Sequence, residues 1–303
     1  MGVNKPINYI RFFFKQIEED SIILWQSKNA IVCGKHQNAL AEINLPFAHK
    51  NNIDVVRRLS GGGTVYHDLG NLNFTFIQSG EKEKLVDFGR YLKPIIKALA
   101  AMGVEAIQGK RNELLVAGKK ISGNAEHTFK SRVLHHGTLL YNTDLTTLIK
   151  SLRINPLKYE SKAIKSVQSR VVNLNQHIKN LSFNSFRNEI KESLMQQFNI
   201  ANEYKLNEKQ VHEIAQLEQE KYRTWDWNFG YSPTYTLKKT LTIKGAQVAL
   251  EISVKKGQIT SINYFENESE FAKDLVAIVG LPHKPETIKP LAHKYGIDFM
   301  EFF

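Results

Sequence analysis

The sequence predicts a protein of mixed helices and strands, with a large first part and a small α+β tail. Three observations predict it. Short runs of β-branched and aromatic residues, such as 53–56 and 72–77, read as strands. Leu85, Phe88, Leu92, Ile95, Ile96 and Leu99 recur at intervals of three and four, which marks one face of a helix over 84–102. In 247–254 the pattern alternates, with Val248, Leu250, Ile252 and Val254 on one face, and Lys255-Lys256-Gly257 turns it back into 259–265 as a hairpin. A length of 303 residues allows one large or two unequal domains. The expected division is 1–235 and 240–303, with Ser232-Pro233-Thr234 as the link.

Taken in order, Ile10 to Phe14 opens a short helix that ends near Glu19. Residues 21–26 and 30–33 are strands joined by a polar turn, and Gly34-Lys35-His36-Gln37-Asn38 is a loop that lines a site. A short helix follows Pro46. The helix over 84–102 carries Pro94 and stops at Gly103, and 104–107 is a strand. Further strands are expected around 114–116, from 119 onward and over 133–141. Asp144 caps a helix to 152, and 158–170 is a basic, mobile segment. Helices follow over 183–198 and 207–219. The aromatic stretch 225–230 closes the first domain, and the tail ends in helices at 271–279 and 286–295.

An apolar content of 42% and a charged content of 23% suit a soluble globular protein, and no run approaches a membrane span. The N-terminus has no signal-peptide pattern, and the lone Cys33 fits a reducing compartment, so a cytoplasmic protein is expected. Cys33 sits in an apolar run and reads as a buried strand residue. Net charge is +11, which suggests an anionic partner. The lysines are dispersed and no RNA-binding signature is present, so an acidic protein is favoured over nucleic acid.

Between the strands at 53–56 and 72–77 lie two arginines, a serine and Gly61, Gly62 and Gly63. Such a turn approaches a ligand closely and forms an anion-binding nest. Arg57 and Arg58 are expected at its mouth, in the fork geometry that suits phosphate or carboxylate. With His67, Asp68 and Asn71 nearby, a phosphate-bearing ligand is expected, although no Walker or dinucleotide fingerprint is present. Lys120, set among Ile121, Gly123 and Ala125, is favoured over Lys119 as an ammonium held over developing negative charge. Asn112 and Glu113 position a nucleotide or a metal-bound phosphate, or cap a turn. His135 and His136 would point to opposite faces of a strand, which argues against a zinc pair.

Five stretches together carry a resemblance: RRLSGGGTVYHDLGNLNFTF (57–76), GKRNELLVAGKKISGNA (109–125), HHGTLLYN (135–142), KSVQSRVVNL (165–174) and WDWNFGYSP (225–233). In order and spacing the chain resembles the lipoate–protein ligases over about 22–233, and its tail looks like their C-terminal accessory domain. The resemblance implies an α/β catalytic domain with a mixed, largely antiparallel sheet, shared with biotin ligases. It implies two steps: lipoate and Mg-ATP give lipoyl-AMP, and the lipoyl group then passes to a lysine of a carrier domain. The implied carriers are the E2 subunits of 2-oxoacid dehydrogenases and the glycine cleavage H protein, with neither nucleic acid nor membrane as a partner.

By motif match, Lys120 contacts the carbonyl and phosphate oxygens of the acyl-adenylate, and Arg58 with Gly61, Gly62 and Gly63 holds the lipoyl and phosphate end. His67, Asn71 and Asn112 line the site, and Val65 walls the slot for the dithiolane. Ser60, Ser122, Gly123, Ala125 and His136 belong to the same binding set, and Gly137 and Thr138 border the adenylate. Glu113 stands where the family usually has aspartate, and is the implied Mg2+ contact. The segment 158–170 resembles a closing loop, with Lys162 as its ligand contact. Besides Glu113 there are two further departures: IRFFF at 10–14 replaces the NLAxEE-like opening, a segment that in the family supports the acyl pocket, and Glu126-His127 replaces a polar-basic pair. The alternative is an octanoyl or lipoyl transferase, or a catalytically impaired relative. A transferase of this fold needs a cysteine beside the acyl pocket, and Cys33 lies far upstream of the lysine motif.

Overall fold

The short β-branched runs become strands and the three-four periodic stretches become helices. The computed structural model describes residues 5–80, 86–152, 159–167, 169–243, 245–265 and 270–303. Helix α1 (Lys5–Gln16) leads into strands β1 (Ser21–Trp25) and β2 (Ala30–Cys33), helices α2 (Ala39–Glu42) and α3 (Leu45–Lys50), and strands β3 (Asp54–Arg57), β4 (Val65–His67) and β5 (Asn71–Ser79). After α4 (Phe88–Ala101) come β6 (Ile107–Gln108), β7 (Leu114–Val116), β8 (Lys119–Ser122), β9 (Asn124–Phe129) and β10 (Arg132–Leu140). Then follow α5 (Leu145–Ser151), β11 (Tyr159–Ser161), α6 (Phe183–Gln197), α7 (Glu208–Leu217) and two single π-turns, Glu218–Tyr222 and Asp226–Gly230. The tail is β12 (Tyr235–Ile243), β13 (Ala246–Lys255), β14 (Gln258–Phe265), α8 (Glu270–Ala277) and α9 (Pro285–Lys294).

Four sheets result, ordered β1-β5-β10-β9, β3-β2-β4, β6-β7-β8 and β11-β12-β13-β14. Among the described residues β2 and β3 are the one parallel strand pair; the rest are antiparallel. The fold is thus α+β, with largely antiparallel sheets. The glycine stretch is not a hairpin. It leaves β3 on one edge of β2 and enters β4 on the other, since Cys33 pairs with Arg57 and Val32 with Val65. Residues 58–64 therefore cross the end of β2.

Several local expectations change. The start of the long helix at 84 lies outside the described residues; α4 begins at Phe88, capped by Asp87, whose side chain accepts from the Arg90 N–H. Of the expected strand 104–107 only Ile107 pairs, with Gln108 after it, while Val104 and Ala106 bury their side chains against the α4 core. The basic segment 158–170 contains β11, in which Tyr159 pairs with Leu237 of the tail sheet. Lys158 lies outside the described residues.

The tail is not packed by itself. One apolar cluster joins Ile31, Cys33, Leu40 and Ile43 to Leu237, Ile252, Leu275 and Phe302. Strand β12 starts at Tyr235, so it straddles the boundary expected at 240. A second cluster lies between β5, β10, α4 and α6, and a third joins α1 to Trp25, Val32 and Leu134.

Candidate active site

The crossover forces two chain segments together at the end of β2. A Cβ on Gly34 would lie 2.0 Å from the Gly62 carbonyl oxygen, and Gly62 itself has φ +88°, so both positions require glycine. Arg58 shapes the loop from beneath. Its Nε donates to Ser60 Oγ at 3.1 Å, Nη1 to the Val32 carbonyl at 3.0 Å, and Nη2 to the Gly61 and Gly63 carbonyls at 2.6 and 2.8 Å. Burial pulls its pKa down to about 10. Arg57 is more deeply committed. It donates to the carbonyls of Gly34, Lys35, Gln37, Trp227 and Asn228 and to Ser232 Oγ. The expectation of two arginines at the loop mouth is corrected: both are buried, and both tie backbone together. Arg57 stands outside the cavity lining, whereas Arg58 still reaches it.

A second clasp closes the other side. Gln37 Oε1 accepts from the Gly34 N–H and from Thr64 Oγ1, while Gln37 Nε2 and the Thr64 N–H donate to Ser166 Oγ. The Ser166 N–H donates to the Glu42 carboxylate. Residues 34–38 therefore brace the site and do not line it, contrary to expectation.

These elements enclose a cavity of about 330 Å³. Its floor is buried and mainly apolar, with Ile7, Ile10, Trp25, Val32 and Leu59 beside His67 and Asn73. Its mouth carries the exposed Arg111 and Lys165, with Glu113 and Lys120 between. Lys120 enters from β8, where its N–H donates to the Arg170 carbonyl and its carbonyl accepts from the Val172 N–H. Its Nζ lies 3.2 Å from where a Cβ on Gly123 would be, so the glycine makes room for the ammonium. Burial lowers the Lys120 pKa, Glu113 opposes that, and Arg111 and Arg58 add to it. Glu113 Oε2 accepts the Arg111 N–H at 2.8 Å.

On the facing strand β10, His135 and His136 part as expected. His135 Nδ1 meets Glu126 Oε1 at 2.9 Å inside the aromatic core, and His136 faces the cavity. Ser60 Oγ accepts from Arg58 and shares a second hydrogen bond with His136 Nε2. Burial, then Arg58, hold the His136 pKa well below its ordinary value, which keeps the ring neutral. A Cβ on Gly137 would lie 2.0 Å from Asn124 Oδ1 and 2.3 Å from the Phe74 ring.

Of the expected residues, Arg58, Gly62, Gly63, Val65, His67, Glu113, Lys120, Gly123, His136, Gly137 and Thr138 line the cavity. Others stand behind it. Ser60 and Gly61 hold Arg58, Asn71 donates to Asn73 Oδ1, and Ser122 donates to Asn124 Oδ1. Asn112, at φ +62°, gives its carbonyl to Asn124 Nδ2 and its side-chain oxygen to Gln108. Ala125 is close to Gly62 but not in the lining. Both His67 ring nitrogens are sealed from solvent without partners, and burial drops its pKa to about 3, so it presents a neutral ring to the cavity. Lys162 is exposed and off the cavity, and Lys165 is the lysine of that segment in the lining. Sequence reasoning missed Trp25, Asn73, Arg111, Lys165 and the α1 pair Ile7 and Ile10. Asn73 was within reach, since it shares a strand face with Asn71 at a spacing of two.

Glu113 is the single carboxylate in the lining, and no group of three metal-ligating side chains occurs among the described residues. One carboxylate suits a Mg2+ that arrives on nucleotide phosphates and keeps most of its waters.

An apolar pocket with cations at its mouth and a glycine crossover beside it has the chemistry to suit an acyl chain whose end carries negative charge. Residues 8–195 match the lipoyl protein ligase A/B catalytic domain. A lipoate-protein ligase of Bacillus subtilis, LplJ, is 39% identical over 251 residues, covering 82% of this chain and 76% of its own. Lipoate–protein ligase 1 of Staphylococcus aureus is 37% identical over 284 residues, covering 92% and 86%. A crystal structure of lipoate-protein ligase A with ATP superposes with TM-score 0.64 at 25% identity over 75% of this chain and 94% of that one. A T. acidophilum lipoate protein ligase with bound lipoic acid gives 0.65 at 25% over 76% and 96%. An archaeal bipartite ligase, described with its E2 lipoyl domain, gives 0.66 at 24% over 76% and 94%, which speaks for the fold alone. The chain belongs to the lipoate–protein ligase family.

Proposed function

We propose that this protein activates lipoate with ATP and passes the lipoyl group to a carrier lysine. The observation that carries the reading is Lys120, an ammonium at the mouth of an apolar cavity, with space reserved for it by Gly123. Relatives that share the family are lipoate–protein ligases, and neighbours of this fold hold ATP or lipoic acid. In the first step the lipoate carboxylate attacks the α-phosphorus of ATP and pyrophosphate leaves. In the second, the carrier amine attacks the acyl carbonyl, AMP leaves, and the amine gives up a proton.

The residues divide the work. The floor of Ile7, Ile10, Trp25 and Val32 takes the alkyl chain and ring and excludes water. Lys120 faces the carbonyl and phosphate oxygens where negative charge develops. Arg111 and Lys165 stand toward the nucleotide, while Arg58 and Ser60 fix the loop and the His136 ring. Glu113 would hold Mg2+, which when bound neutralises phosphate charge. No nucleophilic side chain is needed, because position and charge supply the catalysis. Cys33 is fully buried, outside the lining, and its thiol is pushed up by burial, so nothing favours a thioester transferase. The carriers are the lipoyl domains of E2 subunits and, by the same chemistry, the glycine cleavage H protein. Their place, and this protein's, is the cytoplasm. Among the described residues no helix is long and apolar enough to cross a membrane.

The test is ATP–pyrophosphate exchange with lipoate. Exchange that depends on lipoate and collapses in Lys120→Ala is the expected result. A folded wild type without exchange overturns the reading.

A further inference from the structure

Five cations gather outside the cavity, and the proposed chemistry uses none of them. Helix α1 supplies Arg11 and Lys15, the loop after β2 supplies Lys35, the turn between β9 and β10 supplies Lys130, and the first π-turn supplies Lys221. Aromatic rings stand beside three of them. Lys15 stands over the Phe129 ring, Lys130 lies 5.8 Å from the same ring, and Lys221 lies 3.5 Å over Trp227. Lys15 and Lys130 are exposed, and the other three are half-buried. None of the five makes an ion pair among the described residues. They also press on one another. After burial, Arg11, Lys130 and Lys35 push Lys15 down, and Arg11 and Lys35 help bring Lys221 to about 8. A group of like charges that the protein does not neutralise costs stability, so something external offsets it.

Two facts set the kind of partner. The face borders the mouth: the Lys35 N–H donates to the Ser60 carbonyl at 2.8 Å, and the neighbouring Gly34 crosses Gly62. Yet none of the five lines the cavity, whose own cations are Arg58, Arg111, Lys120 and Lys165. A nucleotide or an acyl acid inside the cavity is served by that inner set. The outer set suits a macromolecule that reaches the mouth from outside. Resting on the ligase reading, we propose that this basic face docks an acidic face of the lipoyl carrier domain and so brings its lysine to the mouth. Helix α1 then works on both sides, with Ile7 and Ile10 in the cavity and Arg11 and Lys15 toward the carrier.

The test titrates a labelled apo lipoyl domain of an E2 subunit onto the full chain and follows anisotropy. In Lys15→Glu/Lys130→Glu the Kd is expected to rise about tenfold or more, with the salt dependence of binding flattened. The control Lys93→Glu/Lys97→Glu makes the same change of net charge on the exposed side of α4 and is expected to bind as wild type. Binding unchanged in the first variant, or weakened equally in the control, overturns the proposal. So does a DNA duplex that is held by wild type and released by the first variant while carrier binding stays put. Lipoate-dependent exchange is read without carrier and is expected to be unchanged in the variant. Because binding is read without turnover, a wild type that docks the carrier but lacks exchange would sink the ligase chemistry and leave the docking face standing.

Discussion

The cavity wall and the tail joint both bury polar groups among apolar ones, and they do so to opposite ends. In the joint the circuit is closed. The Tyr235 hydroxyl donates to His283 Nδ1 at 2.6 Å, and His283 Nε2 donates to the Phe302 carbonyl at 2.9 Å. The Phe303 ring stacks on that imidazole and meets Trp225 edge-on, which ties the end of the chain to the first part. At the cavity wall the groups are held from behind only. Arg58, Ser60, Gln37 and Ser166 fix the backbone, and Lys120 and Glu113 line the cavity with no hydrogen bond to the Lys120 ammonium among the described residues. A satisfied circuit adds stability; a group held on one side is available for chemistry.

The comparison breaks most severely at Arg57, which lies beside the cavity yet belongs to the closed kind. Arg57→Ala leaves five carbonyls without their donor and empties a fully buried site. A loss of about 4 kcal/mol or more is expected, read by urea unfolding. A mild loss would mean that water replaces the guanidinium and that the residue is not structural. Lys120→Ala should do the reverse. Lipoate-dependent exchange is expected to fall about 10²–10³-fold with the unfolding midpoint unchanged. Because the Lys120 pKa is lowered, its charge is lost earlier than that of an ordinary lysine as pH rises. The exchange rate should therefore fall on the alkaline side, and Lys120→Arg should move that fall to higher pH if it retains activity.

How far the sequence reached follows the same division. Local signals were readable: the cap at Asp144, the stop at Gly103, the tail hairpin, and Lys120 among small and apolar neighbours. The glycine stretch was readable as a close approach, but not as a crossover, because β2 and β3 pair in parallel through the intervening helices α2 and α3. Without that pairing Arg57 looks like a ligand for an anion, when it is the backbone tie of the crossover. Lys165 was passed over for Lys162 for a related reason. What turns Lys165 to the cavity is its neighbour Ser166, fixed by Gln37 and Thr64, which stand 129 and 102 residues away. Partners so remote leave no local pattern. The N-terminal segment was tied to the acyl pocket only through the resemblance, since a helix face shows that it is buried and not what it meets, and Ile7 and Ile10 were not picked out.

A smaller effect sharpens the contrast from the tail. Tyr235→Phe removes the donor to His283 Nδ1 and leaves that nitrogen buried and unpaired. About 1–3 kcal/mol of stability should be lost, with exchange unchanged. If exchange fell in step with stability, the joint would be coupled to the cavity, and the two regions would be one cooperative device.

The smallest expected effect concerns protons. Burial holds the His283 pKa at about 4, with the Phe302 carbonyl opposing the shift, against 6.5 for an ordinary histidine. The unfolded chain therefore takes up a proton first as pH falls. Stability that is complete above about 6.5 is lost between there and about 4, at no more than about 1.4 kcal/mol per pH unit for one such group. His67 in the cavity wall, at about 3, adds a second loss of the same sign that continues lower. Unfolding followed from pH 7 to 3 in wild type, His283→Gln and His67→Gln separates the two. His283→Gln should flatten the slope above pH 4, while His67→Gln should flatten it over the whole range. An unchanged slope in His283→Gln would show that the joint admits a proton without opening, and the closed circuit would then be no tighter than the cavity wall.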